Sequence, residues 1–169
     1  IQNRTFIELL LYTGARRGEA LALTWGDVQL EGEKTLKINK TAQYIAKEGI
    51  IIKSPKTRSS VRELIISDGL VEILKKWKIT QSIEKLQLGD QWQHGDKITF
   101  HPDSISKWYS KFMKRNNLGN PSLHKLRNAN ITLQLFMGID PKTASEEVAM
   151  PIYGVTMNIY AYMQKSSNQ

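Results

Sequence analysis

Few residue types in this sequence could do chemistry, and most familiar catalytic constellations are missing. There is no cysteine, so neither a disulfide framework nor a thiolate metal site can form. The three histidines, His94, His101 and His124, are scattered and no HExxH-like pair occurs, so no structural or catalytic metal and no other cofactor is expected. What the chain concentrates is positive charge. Residues 34–62 hold eight basic side chains (Lys34, Lys37, Lys40, Lys47, Lys53, Lys56, Arg58 and Arg62) against one acid, Glu48. Residues 107–127 hold six (Lys107, Lys111, Lys114, Arg115, Lys125 and Arg127) and no acid. Two such blocks point to a polyanion partner, although on charge alone a plain solvated basic surface fits equally well. His124 lies three residues before Arg127, so a helix would turn both to one side. Tyr153, Tyr160 and Tyr162 stand close together, and any of them could be a core or interface aromatic.

The elements that must carry these residues can be read from periodicity. Phe6, Leu9 and Leu10 predict a helix over residues 3–12, with Gly14 as its stop. A short helix is expected over 17–23, closed by the turn Trp25-Gly26-Asp27. Residues 35–39, 42–46, 49–53 and 61–66 are β-prone and predict a small antiparallel sheet, with the polar loop 55–60 as a basic exposed turn. Ser67-Asp68 should cap a helix with Val71, Leu74 and Trp77 inward. A short extended piece is expected at 97–100. Asp103 or Ser104 is expected to cap a helix with Ile105, Trp108, Phe112 and Met113 on one face. Further helices are predicted over 122–137, 141–148 and 154–163. Helices, a small sheet, then helices make an α+β domain, mainly helical, with the sheet near the N-terminal third.

A chain of 169 residues is enough for one domain with a real core. The longest apolar run, in IELLLYTGA, is far shorter than a membrane span, and no signal sequence opens the chain. The absence of a starting Met predicts a fragment of a longer protein.

Three separated segments resemble the signature boxes of the tyrosine recombinase (phage integrase) family. The run Thr13-Gly14-Ala15-Arg16-Arg17-Gly18-Glu19-Ala20-Leu21-Ala22-Leu23-Thr24-Trp25-Gly26-Asp27 is similar to TG-x-R-x-x-E followed by a Leu-rich turn and W-x-D. It fixes many positions in a short window, which makes it the strongest signal. Leu123-His124-Lys125-Leu126-Arg127 resembles the H-x-L-R box, and Val155-Thr156-Met157-Asn158-Ile159-Tyr160 the T-x-x-x-Y end. Residues 55–62 look like the family's β-hairpin with its lysine. The resemblance implies a single catalytic domain over 1–169 with the integrase-like DNA breaking-rejoining fold, the family's N-terminal core-binding domain being absent.

The implied chemistry is metal-free phosphoryl transfer. Tyr160 would attack the scissile phosphate, giving a 3′-phosphotyrosine and a free 5′-hydroxyl. Charge spread over the non-bridging oxygens calls for donors aimed in advance, and Arg16 and Arg127 are the planar, always-charged candidates. His124 would donate to an oxygen or help take the Tyr proton, and Lys56 would protonate the leaving 5′-oxygen. Glu19 would orient the site. Arg17, Lys53, Arg58, Arg62 and Lys125 are the candidate DNA contacts. The implied partner is double-stranded DNA, bound by a homotetramer in the synapse and a monomer when free, in the bacterial cytoplasm with no membrane role.

Two positions depart from the family pattern. Ala149-Met150 stands where Gly-His is usual, ten residues before Tyr160 for the His, and Asn128-Ala129 where His-Thr is usual. A methionine cannot donate a hydrogen bond to a phosphate oxygen. The sequence therefore carries two expectations: a recombinase impaired at Met150, or a degenerate integrase that binds DNA without cleaving it. A type IB topoisomerase-like enzyme would share the chemistry, but the integrase style of the first box argues against it. An unrelated helical binding protein would show no salt-sensitive DNA affinity.

Overall fold

The computed structural model describes residues 2–54, 61–92, 95–98, 102–119 and 121–147. Helix α1 (Gln2–Thr13) buries Phe6, Leu9 and Leu10 along one stripe, as the spacing predicts. It ends where Gly14 takes a positive φ of 59° and its amide bonds Leu10 O at 3.0 Å. The chain then runs extended through Arg16 into the short helix α2 (Arg17–Ala22), whose Ala20, Leu21 and Ala22 face the core. A 3-10 turn over Trp25–Asp27 follows, pinned by Asp27 Oδ2, which accepts from the Thr24 amide (2.8 Å) and hydroxyl (2.6 Å).

Strands β1 (Thr35–Ile38), β2 (Thr41–Ile45), β3 (Gly49–Lys53) and β4 (Arg62–Ile65) are all antiparallel. They pair as two two-stranded ladders, β1 with β4 and β2 with β3. In the first, Thr35 faces Ile65 and Ile38 faces Arg62; in the second, Thr41 faces Lys53 and Ile45 faces Gly49. Helix α2 lies directly on β2. A Cβ built at Gly18 would sit 2.5 Å from Thr41 Oγ1 and 2.8 Å from Ala42 O, so only glycine permits this approach.

Ser67 caps α3 (Asp68–Leu88) by accepting from the Leu70 amide. Its inner face carries Leu70, Val71, Leu74, Trp77 and the polar Gln81. Gln81 accepts from Trp25 Nε1 (2.8 Å) and donates to Lys97 O (3.1 Å), while Trp77 Nε1 donates to Ile98 O (2.7 Å). Those bonds fasten the short 95–98 segment, which is bridged to Thr24. Trp25 is thereby a packing residue, with Lys78 over its ring.

Helix α4 spans Pro102–Arg115, beginning ahead of the expected Asp103 or Ser104 cap because proline is well suited to a first helical position, where its missing N–H is no loss. Its inward pair is Ile105 and Tyr109, one turn apart; Phe112, expected on the inner face, is exposed and stacks on Trp108 instead. Helix α5 (Leu123–Phe136) packs on α1 and buries Ile131 and Leu135, and α6 (Pro141–Glu147) packs on α5, its first turn capped by Asp140. Among the described residues no helix is long and apolar enough to cross a membrane.

Candidate active site

The site forms where α1 ends, α2 begins and α5 packs on the end of α1. The last turn of a helix leaves carbonyls without partners, and α5 supplies donors to those at the end of α1. Asn130 Nδ2 donates to Leu11 O (2.6 Å) and Tyr12 O (3.3 Å), and Arg127 Nη1 donates to Gly14 O (2.8 Å). Arg127 is only 2% exposed. A cation buried so deeply is held against a desolvation cost, which the nearby Glu19 charge partly offsets.

Arg16 precedes the first turn of α2 in an extended conformation. Glu19, one turn on, accepts from the Arg16 amide at 2.9 Å and from Arg16 Nη1 at 2.8 Å. The second oxygen of that carboxylate also takes Arg62 Nη2 at 3.0 Å. The Glu19 side chain is 5% exposed and Arg62 9%, whereas Arg16 is 38% exposed and reaches the surface. Arg62, expected from the sequence to meet DNA, thus stands behind Arg16 as a partner of Glu19. The β1–β4 ladder holds it there, because Arg62 opposes Ile38 at the end of the register.

Burial pushes the Glu19 carboxyl up, but the charge of Arg62, the Arg16 amide and the two guanidinium bonds outweigh it, and its pKa falls below the ordinary value of 4.5. Burial, with the like charges of Arg16 and Arg62, lowers the Arg127 pKa to about 10 against the pull of Glu19. It remains a cation at neutral pH. Arg16 and Arg62 thus bond the Glu19 carboxylate, and Arg127 lies near enough to feel the charge of all three.

A cleft of about 500 Å³ opens over this cluster. Its lining includes Arg16, Arg17 and Arg127, then Ser122, Leu123 and His124 at the start of α5, and Ser106 and Tyr109 of α4. Ser122 is extended and Leu123 opens the helix, so the positive end of α5 looks into the same space. The helical spacing does bring His124 and Arg127 to one cleft, with His124 exposed and Arg127 buried. Lys53 and Lys125 are exposed. Lys56, Arg58, Met150 and Tyr160 lie outside the described residues, as do Tyr153, Tyr162 and the helix expected over 154–163. Among the described residues no group of His, Asp and Glu could hold a metal ion. Sequence reasoning did not single out Ser106, Tyr109 or Asn130, since a lone serine, tyrosine or asparagine on a helix carries no spacing signal.

The chain is similar in structure to the Tn1549 transposon integrase in complex with transposon right end DNA, with a TM-score of 0.75 at 18% identity over 92% of this chain and 53% of that one. It is similar also to the XerH site-specific recombinase bound to its difH substrate, with a TM-score of 0.65 at 20% identity over 98% of this chain and 44% of that one. The fold, mainly helical with a small antiparallel sheet, is that of tyrosine recombinase catalytic domains. The phage integrase family model matches residues 1–165, and the chain belongs to that family. Its relatives include the ICEBs1 integrase of Bacillus subtilis (strain 168), 27% identical over 169 residues, covering 95% of this chain and 45% of that protein. Another is a XerC-like tyrosine recombinase of Caldanaerobacter subterraneus subsp. tengcongensis, also 27% identical over 169 residues, covering 89% of this chain and 43% of that protein. The chain spans less than half the length of either relative.

Proposed function

We propose that this chain is the strand-cleaving domain of a site-specific DNA recombinase that integrates and excises a mobile element through a 3′-phosphotyrosine. The observation that carries the reading is Arg127: a buried cation whose charge is disfavoured by burial and by two neighbouring guanidinium groups, opening on a cleft that a helix N-terminus also faces. A DNA phosphate seated there removes that penalty. Arg16 and Arg127 hold the non-bridging oxygens, and their charge is worth most as the transition state spreads negative charge over them. Glu19, backed by Arg62, keeps Arg16 aimed before the substrate arrives. His124 offers a further donor at the cleft rim.

The sequence motifs supply the remaining roles. The Tyr160 oxygen attacks phosphorus as His124 takes its proton, the bond to the 5′-oxygen breaks, and Lys56 gives that oxygen its proton. Attack of a 5′-hydroxyl on the phosphotyrosine reverses the step, so the bond energy is conserved and no nucleotide cofactor is consumed. The names of the relatives, an ICEBs1 integrase and a transposon integrase, favour a mobile element as the setting. Double-stranded DNA is the partner in this reading, with four copies acting in the synapse and a monomer when free.

The test is relaxation of supercoiled plasmid in EDTA at low salt by the chain, beside Tyr160→Phe and Met150→His. Relaxation that persists in EDTA and disappears with Tyr160→Phe is the expected result. Silence rescued by Met150→His means a recombinase site weakened at that position. Silence in both, with DNA still bound, overturns cleavage and leaves a DNA-binding module.

A further inference from the structure

The cleft is larger than one phosphate requires. Its volume of about 500 Å³ lies within the range of about 300–1,000 Å³ that encloses whole small ligands. Its walls also hold a cation that the Glu19 cluster does not use. Arg17 follows Arg16 directly in the chain, but its side chain goes elsewhere. Arg16 is bound to Glu19 on α2, whereas Arg17 Nη1 donates to Ser106 Oγ on α4 at 2.9 Å, across 89 residues of sequence. Arg16 is thus held on α2 and Arg17 against α4, although the two are neighbours in the chain. The tether is a neutral hydroxyl, which orients Arg17 without cancelling its charge. Both Arg17 and Ser106 line the cleft.

We propose that the cleft seats two neighbouring phosphates of one DNA strand, the second held by Arg17, and that Ser106 is the positioning residue that aims Arg17 at it. The proposal rests on the reading of the chain as a DNA-cleaving domain, and it adds a second subsite to that reading. A strand carries one phosphate per about 3.4 Å of helix axis, so a strand laid along the cleft would carry a neighbouring phosphate past the Arg17 wall. Arg17 bonded to Ser106 loses less rotamer freedom on binding than a free surface arginine. Arg17 is exposed and bears no part of the Glu19 cluster, so its loss should leave the fold and the Arg16–Arg127 pair intact.

The experiment measures affinity for a short mixed-sequence DNA duplex over a series of salt concentrations. The proteins are the wild-type chain, Arg16→Gln, Arg17→Gln, Ser106→Ala, Ser106→Thr and the Arg17→Gln/Ser106→Ala pair. Arg17→Gln is expected to reduce the slope of log affinity against log salt by about one, the signature of one lost phosphate contact. Ser106→Ala should weaken binding several-fold, Ser106→Thr should restore it, and Ser106→Ala should add nothing in the Arg17→Gln background. A merely structural serine would show the same loss in both backgrounds, and that result overturns the positioning role. If Arg16→Gln weakens binding while Arg17→Gln leaves the slope unchanged, the second subsite is overturned and the catalytic-site reading stands. If wild-type affinity is insensitive to salt and to Arg16→Gln, both fall together.

Discussion

Glu19 joins two guanidinium groups through one carboxylate, and its environment decides how the site responds to acid. Its folded pKa is lowered, so the stabilisation is fully present above the unfolded value near 4.5 and is lost as pH falls through the folded value. Urea titrations should therefore show stability falling below pH 4.5, and Glu19→Gln should flatten that limb. At neutral pH the same substitution leaves Arg62 buried beside a neutral amide. Removing one partner of a buried pair costs about 3–5 kcal/mol, and the solvent exposure of Arg16 discounts its share, so a loss of about 2–3 kcal/mol is expected. Arg127 has the opposite character. Its pKa is depressed, so its charge is disfavoured in the fold throughout the range below about 10. The hydrogen bond from Arg127 Nη1 to the Gly14 carbonyl and the charge of Glu19 offset part of that cost. The tension is what a bound phosphate would release.

At the scale of elements, two contacts set the geometry of the cleft. Gly18 lets α2 rest on β2, which fixes the direction in which Arg16 and Arg17 leave the helix start. Asn130 ties α5 to the end of α1, which fixes the depth of Arg127 one turn earlier. Asn130→Leu keeps the volume but strands the Leu11 and Tyr12 carbonyls. An unsatisfied buried acceptor costs about 1–3 kcal/mol. The variant should unfold at lower urea by that amount and bind DNA more weakly than the wild type at equal salt. If DNA affinity is unchanged while stability falls, α5 does not place Arg127 for binding. Gln81 does a similar job farther from the cleft, linking Trp25 to the backbone at Lys97.

For the whole molecule the governing quantity is charge. A net charge of +8 is confined largely to two blocks, so the fold carries self-repulsion that a polyanion relieves. A short duplex should raise the melting temperature, because a ligand bound only by the folded state stabilises it by about 2.7 kcal/mol at a hundredfold excess over its Kd. High salt should abolish that gain, since it abolishes the release of counterions from DNA. Arg127→Met should reduce it at low salt as well. A melting temperature indifferent to DNA in low salt would remove the basis for a nucleic-acid partner.

The sequence by itself determined the family and most of the element order. Motif boxes fix residue types at fixed spacing, and apolar stripes such as Phe6, Leu9 and Leu10 follow from local helix geometry. Gly14 as a helix stop, Ser67 as a cap and the four strands were legible for the same local reasons. The tertiary structure alone decided which basic residues act together. Arg62 reads as one more cation in a basic block, and only the β1–β4 register turns it onto Glu19. Ser106 carries no signal in the sequence because its partner, Arg17, lies 89 residues away. The pairing of strands into two ladders, and the choice of Tyr109 over Phe112 as the inward aromatic of α4, likewise depend on packing against distant elements. Periodicity reports the face of one element; it holds no information on what that face will meet.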